Sequence, residues 1–140
     1  MDEVMIRPFT LNDHANAIAL WRQSEGVGLS SADEKPAIAK YLARNPGMSF
    51  VAFYENQLVG AILCGHDGRR GYIHHLAVHP EFRRSGIGQQ LVAHGLSALA
   101  EAGIDKCHLF IFHKNESGKA FWESIGYSLR MDIQIMSKLI

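Results

Sequence analysis

The chain has 140 residues, of which 47% are hydrophobic and 20% charged, with fourteen Lys+Arg balanced by fourteen Asp+Glu. That is enough apolar sequence for one domain spanning residues 1–140 and excludes a disordered chain. The lack of a basic excess argues against a general nucleic-acid or anionic-membrane binder.

Two cysteines, Cys64 and Cys107, lie outside any CxxC pair, so neither a disulfide framework nor a zinc finger is expected. Reduced thiols in an intracellular protein are the simpler reading. No stretch approaches the ~18 consecutive apolar residues of a membrane span. The start, MDEVMIRPFT, is acidic and lacks the basic-then-apolar pattern of a signal peptide. A soluble, cytoplasmic protein with no membrane partner is expected.

Val4–Phe9 mixes apolar and β-prone residues and reads as a first strand. Thr10 suits the cap of a helix from Leu11, with Asp13 favourable to the dipole in its first turn. Leu11, Ala15, Ile18 and Arg22 share a face of that helix, and Gly26 and Gly28 stop it. A second helix is expected from Asp33 to Arg44, with Asp33 as cap, Pro36 in the first turn and Ile38, Tyr41 and Leu42 on the apolar side. Asn45-Pro46-Gly47 ends it.

Three β-prone runs follow: Met48–Tyr54, Leu58–Cys64 and Gly71–Val78. Their short connections imply an antiparallel meander. The longest helical pattern runs from Gly86 to Ala102, with Ile87, Leu91, Ala98 and Ala102 on one side and Gly103 as the stop. Cys107–Phe112 reads as a strand, Ser117–Ile125 as a short helix ended by Gly126, and Tyr127–Leu139 as one or two final strands. The order β-α-α-β-β-β-α-β-α-β suggests a mixed α/β sheet with helices on both faces.

The junction between the third run of the meander and the long helix carries the most chemistry. Leu76-Ala77-Val78-His79-Pro80 ends a strand, and Arg83-Arg84-Ser85-Gly86-Ile87-Gly88 opens a helix. A helix start leaves backbone N–H groups without partners and carries partial positive charge. Glycines allow close approach and arginines add charge-assisted donors, so a pyrophosphate fits here. The segment is not a P-loop, having no Gly-Lys-Ser/Thr, nor a dinucleotide fingerprint, lacking the third glycine. Taken alone, the segment leaves open a glycine-rich loop with solvated arginines.

Together with Asn115-Glu116-Ser117-Gly118-Lys119-Ala120-Phe121-Trp122 and the closing Gly126-Tyr127, this segment resembles the GNAT superfamily of acyl-CoA-dependent N-acetyltransferases. Ile6-Arg7-Pro8 before a helix and Met136, Lys138 and Leu139 near the end fit the same pattern, so the resemblance spans nearly the whole chain. It implies a mostly antiparallel sheet of about six to seven strands, with the strand ending at Val78 splayed from its parallel neighbour Cys107–Phe112. It implies acetyl-CoA as acyl donor. Leu76, Ala77 and Val78 would pair with the pantetheine arm as an added strand does. The Val78 amide would stabilise the oxyanion of a tetrahedral intermediate. Arg83, Arg84, Ser85, Gly86, Ile87 and Gly88 would hold the pyrophosphate. Asn115 would contact pantetheine, Lys119 the phosphate end, and Trp122 would line the channel.

Amine attack on a thioester needs a neutral amine and a protonated leaving thiolate. Many relatives carry a glutamate base four residues before the position of Val78; here it is His74. A histidine suits base work at neutral pH, and a strand histidine without chemistry is the alternative. Strand alternation directs His75 to the opposite face. Many relatives carry an acidic tyrosine after the position of Phe121; here it is Trp122, which leaves Tyr127 or water as candidate acid. His74, His75 and His79 do not converge as ligands on a helix do, so no metal is expected.

The acceptor side of such a fold is implied to lie in the first two helices, their loop and the last strands. Glu25, Asp33 and Glu34 suit a cationic amine or form ordinary solvated surface, and Trp21 either lines the pocket or packs. Three readings stay open. The chain acetylates a small amine or amino acid, acetylates a protein or peptide N-terminus, or binds acyl-CoA without catalysis. The hairpin Gly65-His66-Asp67-Gly68-Arg69-Arg70 looks like that of bacterial members. Homodimers are common among relatives, but no interface is legible.

Overall fold

The computed structural model describes residues 3–140; Met1 and Asp2, part of the acidic start, lie outside the described residues. The chain forms two compact units, one up to Phe110 and one over Ile111–Ile140. In the first, β1 (Val4–Pro8), β2 (Phe50–Tyr54), β3 (Gln57–His66), β4 (Gly71–Val78) and β5 (Cys107–Leu109) form one sheet in that order. Each of the first four strands runs antiparallel to its neighbour, and β5 is parallel to β4. Helices α1 (His14–Arg22), α2 (Lys35–Arg44) and α3 (Ile87–Glu101) belong to this unit, and α4 (Glu116–Ser124) to the second.

Local chemistry sets most of these boundaries. Tyr54 pairs with Gln57, so Glu55-Asn56 is a two-residue turn, with Glu55 at φ 55°. In the β3–β4 turn the Asp67 carboxylate accepts the N–H groups of Arg69 and Arg70, both at 2.8 Å. Thr10 and Asp13 form a capping box on a 3-10 turn, Leu11–Asp13, that runs into α1. Ser30 and Asp33 form another on the turn Ser31–Asp33, and α2 starts after it with Glu34 as cap. Asp33, expected as the cap of α2, belongs to the turn instead.

One face of the sheet carries α1 and α2 over a core that includes Phe9, Ala17, Leu20, Trp21, Ile38, Val51, Leu63 and Ala77. The buried side of α1 is Ala17, Leu20 and Trp21, not the expected Leu11–Ala15–Ile18–Arg22 stripe; Ala15 and Arg22 are exposed. Trp21 has by far the largest apolar surface on the helix, and its full burial sets the rotation of α1. The opposite face carries α3. There the helix comes close because β3 and β4 offer glycines: a Cβ at Gly60 would lie 2.9 Å from a Leu91 methyl, and one at Gly71 2.6 Å from a Leu99 methyl.

The sheet has five strands among the described residues rather than six or seven. The expected strand Cys107–Phe112 pairs only as far as Leu109, and no strand forms over residues 127–139. The alternation Leu129, Met131, Ile133, Ile135 is present, and Arg130 reaches Asp132 through two hydrogen bonds of 2.8 and 2.9 Å. Alternation alone does not make a strand, because a strand needs a ladder, and residues 127–139 join none among the described residues.

Candidate active site

β4 is paired on both sides only at its beginning. Gly71–Ile73 pair with Cys107–Leu109, whereas His75–Val78 pair with β3 alone. The parallel pairing ends at Ile73, and the edge of β4 from His75 to Val78 has no strand partner on that side among the described residues. His79 N–H donates to the Val59 carbonyl at 2.7 Å. By strand alternation Ala77 also faces β3, while Leu76 and Val78 present N–H and C=O to the open edge. The guanidinium of Arg83 reaches back over that edge and donates to the Val78 carbonyl at 3.1 Å.

The chain then turns through Pro80–Phe82 into the arginine–glycine segment. Arg84 has φ 63° and Gly86 φ 86°, two left-handed residues flanking Ser85. Backbone turned this way gathers N–H groups into a concavity suited to an anion. Gly86 is the N-cap of α3, and Gln90 N–H is the donor that closes the first turn, onto the Gly86 carbonyl. The N–H groups of Ile87, Gly88 and Gln89 therefore have no partner in the helix. Arg83, Arg84, Ser85 and Gly86 are exposed, and neither arginine has a carboxylate partner among the described residues. Ile87 is the exception: it is buried beneath α3, so only its backbone is available.

Both histidines of the β4 pair face α1 and α2. Leu63 pairs with His75 and Cys64 with Ile73, which leaves His74 as the extra residue of a bulge. An extra residue shifts the alternation by one. The His74 ring stacks on Tyr72 and meets Tyr41 of α2 edge-on, and the His75 ring lies 4.9 Å from Trp21 of α1. The expectation that His75 points to the other face fails for this reason. The surrounding protein pushes the His74 pKa below its ordinary value, chiefly by burial, with His75 adding to the effect and Asp33 opposing it.

His75 is not a lone histidine. Its Nε2 donates to the Asp33 carboxylate at 2.7 Å, with both side chains nearly buried. The other Asp33 oxygen accepts the Ser30 N–H at 3.0 Å. His14 Nε2 donates to the Asp33 carbonyl at 2.8 Å. Nothing in the sequence signals this pairing: Asp33, expected as a helix cap and as either an attractor of amines or solvated surface, is buried, whereas Glu25 and Glu34 are exposed. Trp21 packs, with its indole N–H buried and unpartnered. Cys64 is buried and its thiol pushed up to about 12 by burial first and then Cys107, so it has no nucleophile's character.

In the second unit, Asn115 caps α4 through its side-chain oxygen, which accepts the Gly118 N–H at 2.9 Å. A Cβ at Gly118 would collide with the Asn115 amide, so the pair is a matched cap. The Lys119 ammonium donates to the His113 carbonyl and lies 3.5 Å from a Glu116 oxygen. Trp122 is sandwiched edge-on between Phe121 and Tyr127, at 5.1 and 5.0 Å. Tyr127, the candidate acid, is thus half-buried against an indole.

The model of the acetyltransferase (GNAT) family matches residues 12–127. An acetyltransferase of Pectobacterium atrosepticum is 30% identical over 135 residues, covering 96% of this chain and 95% of that protein. The PaiA N-acetyltransferase of Thermoplasma acidophilum, solved with coenzyme A, superposes with a TM-score of 0.78 at 19% identity, over 91% of each chain. The aminoglycoside acetyltransferase AAC(6')-Iy, solved with a bisubstrate analogue built on CoA, gives 0.79 at 16% identity, over 99% of this chain and 100% of that one. No described helix is long and apolar enough to cross a membrane. With acetyl-CoA as its acyl donor, the chain belongs to the acetyltransferase (GNAT) family.

Proposed function

We propose that this acetyltransferase acts on the primary amine of a small molecule or amino acid, by direct attack of the neutral amine on the thioester. The observation that carries the reading is the unpaired edge of β4 running straight into the open start of α3. Acetyl-CoA supplies an activated acyl group. Leu76 and Val78 offer the strand edge to its pantetheine arm, with Ala77 holding that edge to β3. The Val78 N–H stabilises negative charge growing on the thioester oxygen. The N–H groups from Ser85 to Gly88 and the side chains of Arg83 and Arg84 take the pyrophosphate. The same reading assigns Asn115, Lys119 and Trp122 to the cofactor.

His74 serves as base. Its lowered pKa keeps it unprotonated at neutral pH, ready to accept a proton directly or through water. Tyr127 is the candidate acid, since an indole at 122 cannot donate. Glu25 and Glu34, exposed on the loop between α1 and α2, draw a cationic amine toward the site.

Thermal unfolding with acetyl-CoA, with CoA and ATP as controls, tests the donor site. Ligand at 100 times its Kd stabilises by about 2.7 kcal/mol, a rise of roughly 5–12 °C in Tm for a domain of this size. Replacing Gly86, which sits at φ 86°, by leucine should abolish the rise in protein that still folds. Release of free thiol with small amines and with peptides then tests the acceptor. No rise at millimolar acetyl-CoA overturns the donor site, and turnover confined to peptides overturns the small-amine acceptor.

A further inference from the structure

Three separate elements converge on one loop residue. Asp33 sits in the turn between α1 and α2, and its carboxylate is held by His75 of β4, its carbonyl by His14 of α1, and its second oxygen by Ser30. The side chains of Asp33 and His75 are 7% and 10% exposed, so the bond between them is shielded from solvent and salt. A carboxylate and a carbonyl only accept, so both histidines present a protonated Nε2 to this residue. Trp21 presses on the His75 ring and fixes its plane.

Away from Asp33 and the bonds within its own turn, the segment is held at few points, the buried Ser24 hydroxyl on the Leu20 carbonyl among them. Between α1 and α2 the regular structure is the short turn Ser31–Asp33, and Glu25, Gly26, Gly28, Ser30, Ser31, Ala32 and Glu34 are exposed. Two backbone bonds, Ser24 N–H to Trp21 and Val27 N–H to Ser24, tie its beginning. Val27 and Leu29 lean on the core. The Asp33–His75 bond fixes its end. On β4, His75 precedes Val78 by three residues, about 10 Å of strand. The anchor of the loop therefore lies one small-molecule length from the amide assigned to the thioester oxygen.

We propose that the Asp33–His75 hydrogen bond positions the loop between α1 and α2 as one wall of the acceptor site, making His75 a positioning residue for acceptor binding rather than a proton carrier. The assignment rests on the small-amine reading above. A buried donor that bonds a loop carboxylate contributes by holding that wall where the amine meets the donor thioester, and its loss lets the wall drift.

His75→Gln and His75→Asn separate this role from a merely structural one. A glutamine carries its amide nitrogen about where imidazole has Nε2; an asparagine is one methylene short and cannot reach Asp33. Steady-state rates are measured by thiol release with neamine, spermidine and phenylalaninamide as amine probes, varying the amine and acetyl-CoA in turn. His75→Asn should raise the KM for the amine tenfold or more, leaving kcat and the KM for acetyl-CoA within threefold. His75→Gln should restore the amine KM to within threefold of the parent. If His75→Asn does not fold, as judged by its acetyl-CoA-induced rise in Tm, Asp33→Ala, which removes the acceptor of the His75 bond, should raise the amine KM alone. An unchanged amine KM in folded variants, or a fall in kcat that glutamine does not rescue, overturns the positioning role and leaves the proposed function standing. No turnover of any probe by the parent protein overturns the small-amine reading and the positioning role with it.

Discussion

Replacing Arg7 by methionine should cost the fold about 2–3 kcal/mol at pH 7. The Arg7 guanidinium grips Asp13 with two parallel bonds of 2.8 Å, Nη1 to Oδ2 and Nη2 to Oδ1, and stacks 4.8 Å above the Phe53 ring. Asp13 is 6% exposed at its side chain and Arg7 46%. The pair ties the start of α1 to strand β1. Burial alone would push the Asp13 carboxyl up; the hydrogen bonds from Arg7 and Thr10 outweigh it and hold the group below the usual carboxylate range. Methionine preserves the stem over Phe53 and removes both charged bonds, leaving the Thr10 N–H at 2.9 Å and its hydroxyl at 3.2 Å on a buried carboxylate. Two charge-assisted bonds are worth roughly 1.5–3 kcal/mol each at full strength. Solvent screening at the half-exposed arginine brings the sum toward the lower bound. The expected loss is roughly 6–12 °C in Tm for a domain of this size.

The pH dependence gives the sharper test. Asp13 has a depressed pKa in the folded state, so its contribution is present above the unfolded carboxylate value and disappears as pH falls through the folded one. Urea unfolding followed by circular dichroism, at pH 7 and again near pH 3, should show the gap between parent and Arg7→Met closing on acidification with the urea slope unchanged. Arg7→Met combined with Asp13→Asn should recover part of the loss, since a buried charge without its partner is the main penalty. A loss under 0.5 kcal/mol, or one that is the same at both pH values, would refute the argument.

Three further outcomes follow from the same structure. If His74 is the base, the acid limb of kcat/KM against pH falls below the ordinary histidine value of 6.5, because burial lowers its pKa; a limb at or above that value contradicts the assignment. Gly71→Val should destabilise by about 1–3 kcal/mol, because its new side chain begins 2.6 Å from a Leu99 methyl of α3; an unchanged urea midpoint would show that Leu99 or the helix can move away at no cost. Cys64 should resist thiol reagents in the native protein at pH 8 and react on unfolding, since burial pushes its pKa up to about 12; rapid native labelling at Cys64 would contradict this.

Much of the proposed donor site is legible in sequence because it is built from backbone. The strand ending at Val78, the arginines and the two glycines at the start of α3 form a continuous stretch of chain, and contiguous residues keep their spacing whatever the rest of the fold does. Glycine at 86 announces the left-handed cap that the structure shows at φ 86°. The Asn115–Gly118 cap is equally local, and so are the hairpin turns and the stop after α2. The same holds for the resemblance itself, which depends on motifs that lie on short segments.

What the chain kept hidden depends on partners distant in sequence. Periodicity placed His74 and His75 on opposite faces, since an undisturbed strand alternates; the bulge opposite Leu63 and Cys64 turns both toward the helices, and no residue at 73–75 advertises it. Asp33 and His75 are 42 residues apart, so their bond exists only once α2, its turn and β4 pack. The rotation of α1 followed the burial of Trp21 rather than the weaker stripe beside it. The alternation over residues 129–135 is read without difficulty, yet it specifies only which side chains share a side; whether a strand forms is decided by a neighbour. Sequence by itself determined the local conformations and the chemistry carried on contiguous backbone. Tertiary structure decided register, facing and pairing, because those are free energies between segments, and each segment contains only half of the interaction.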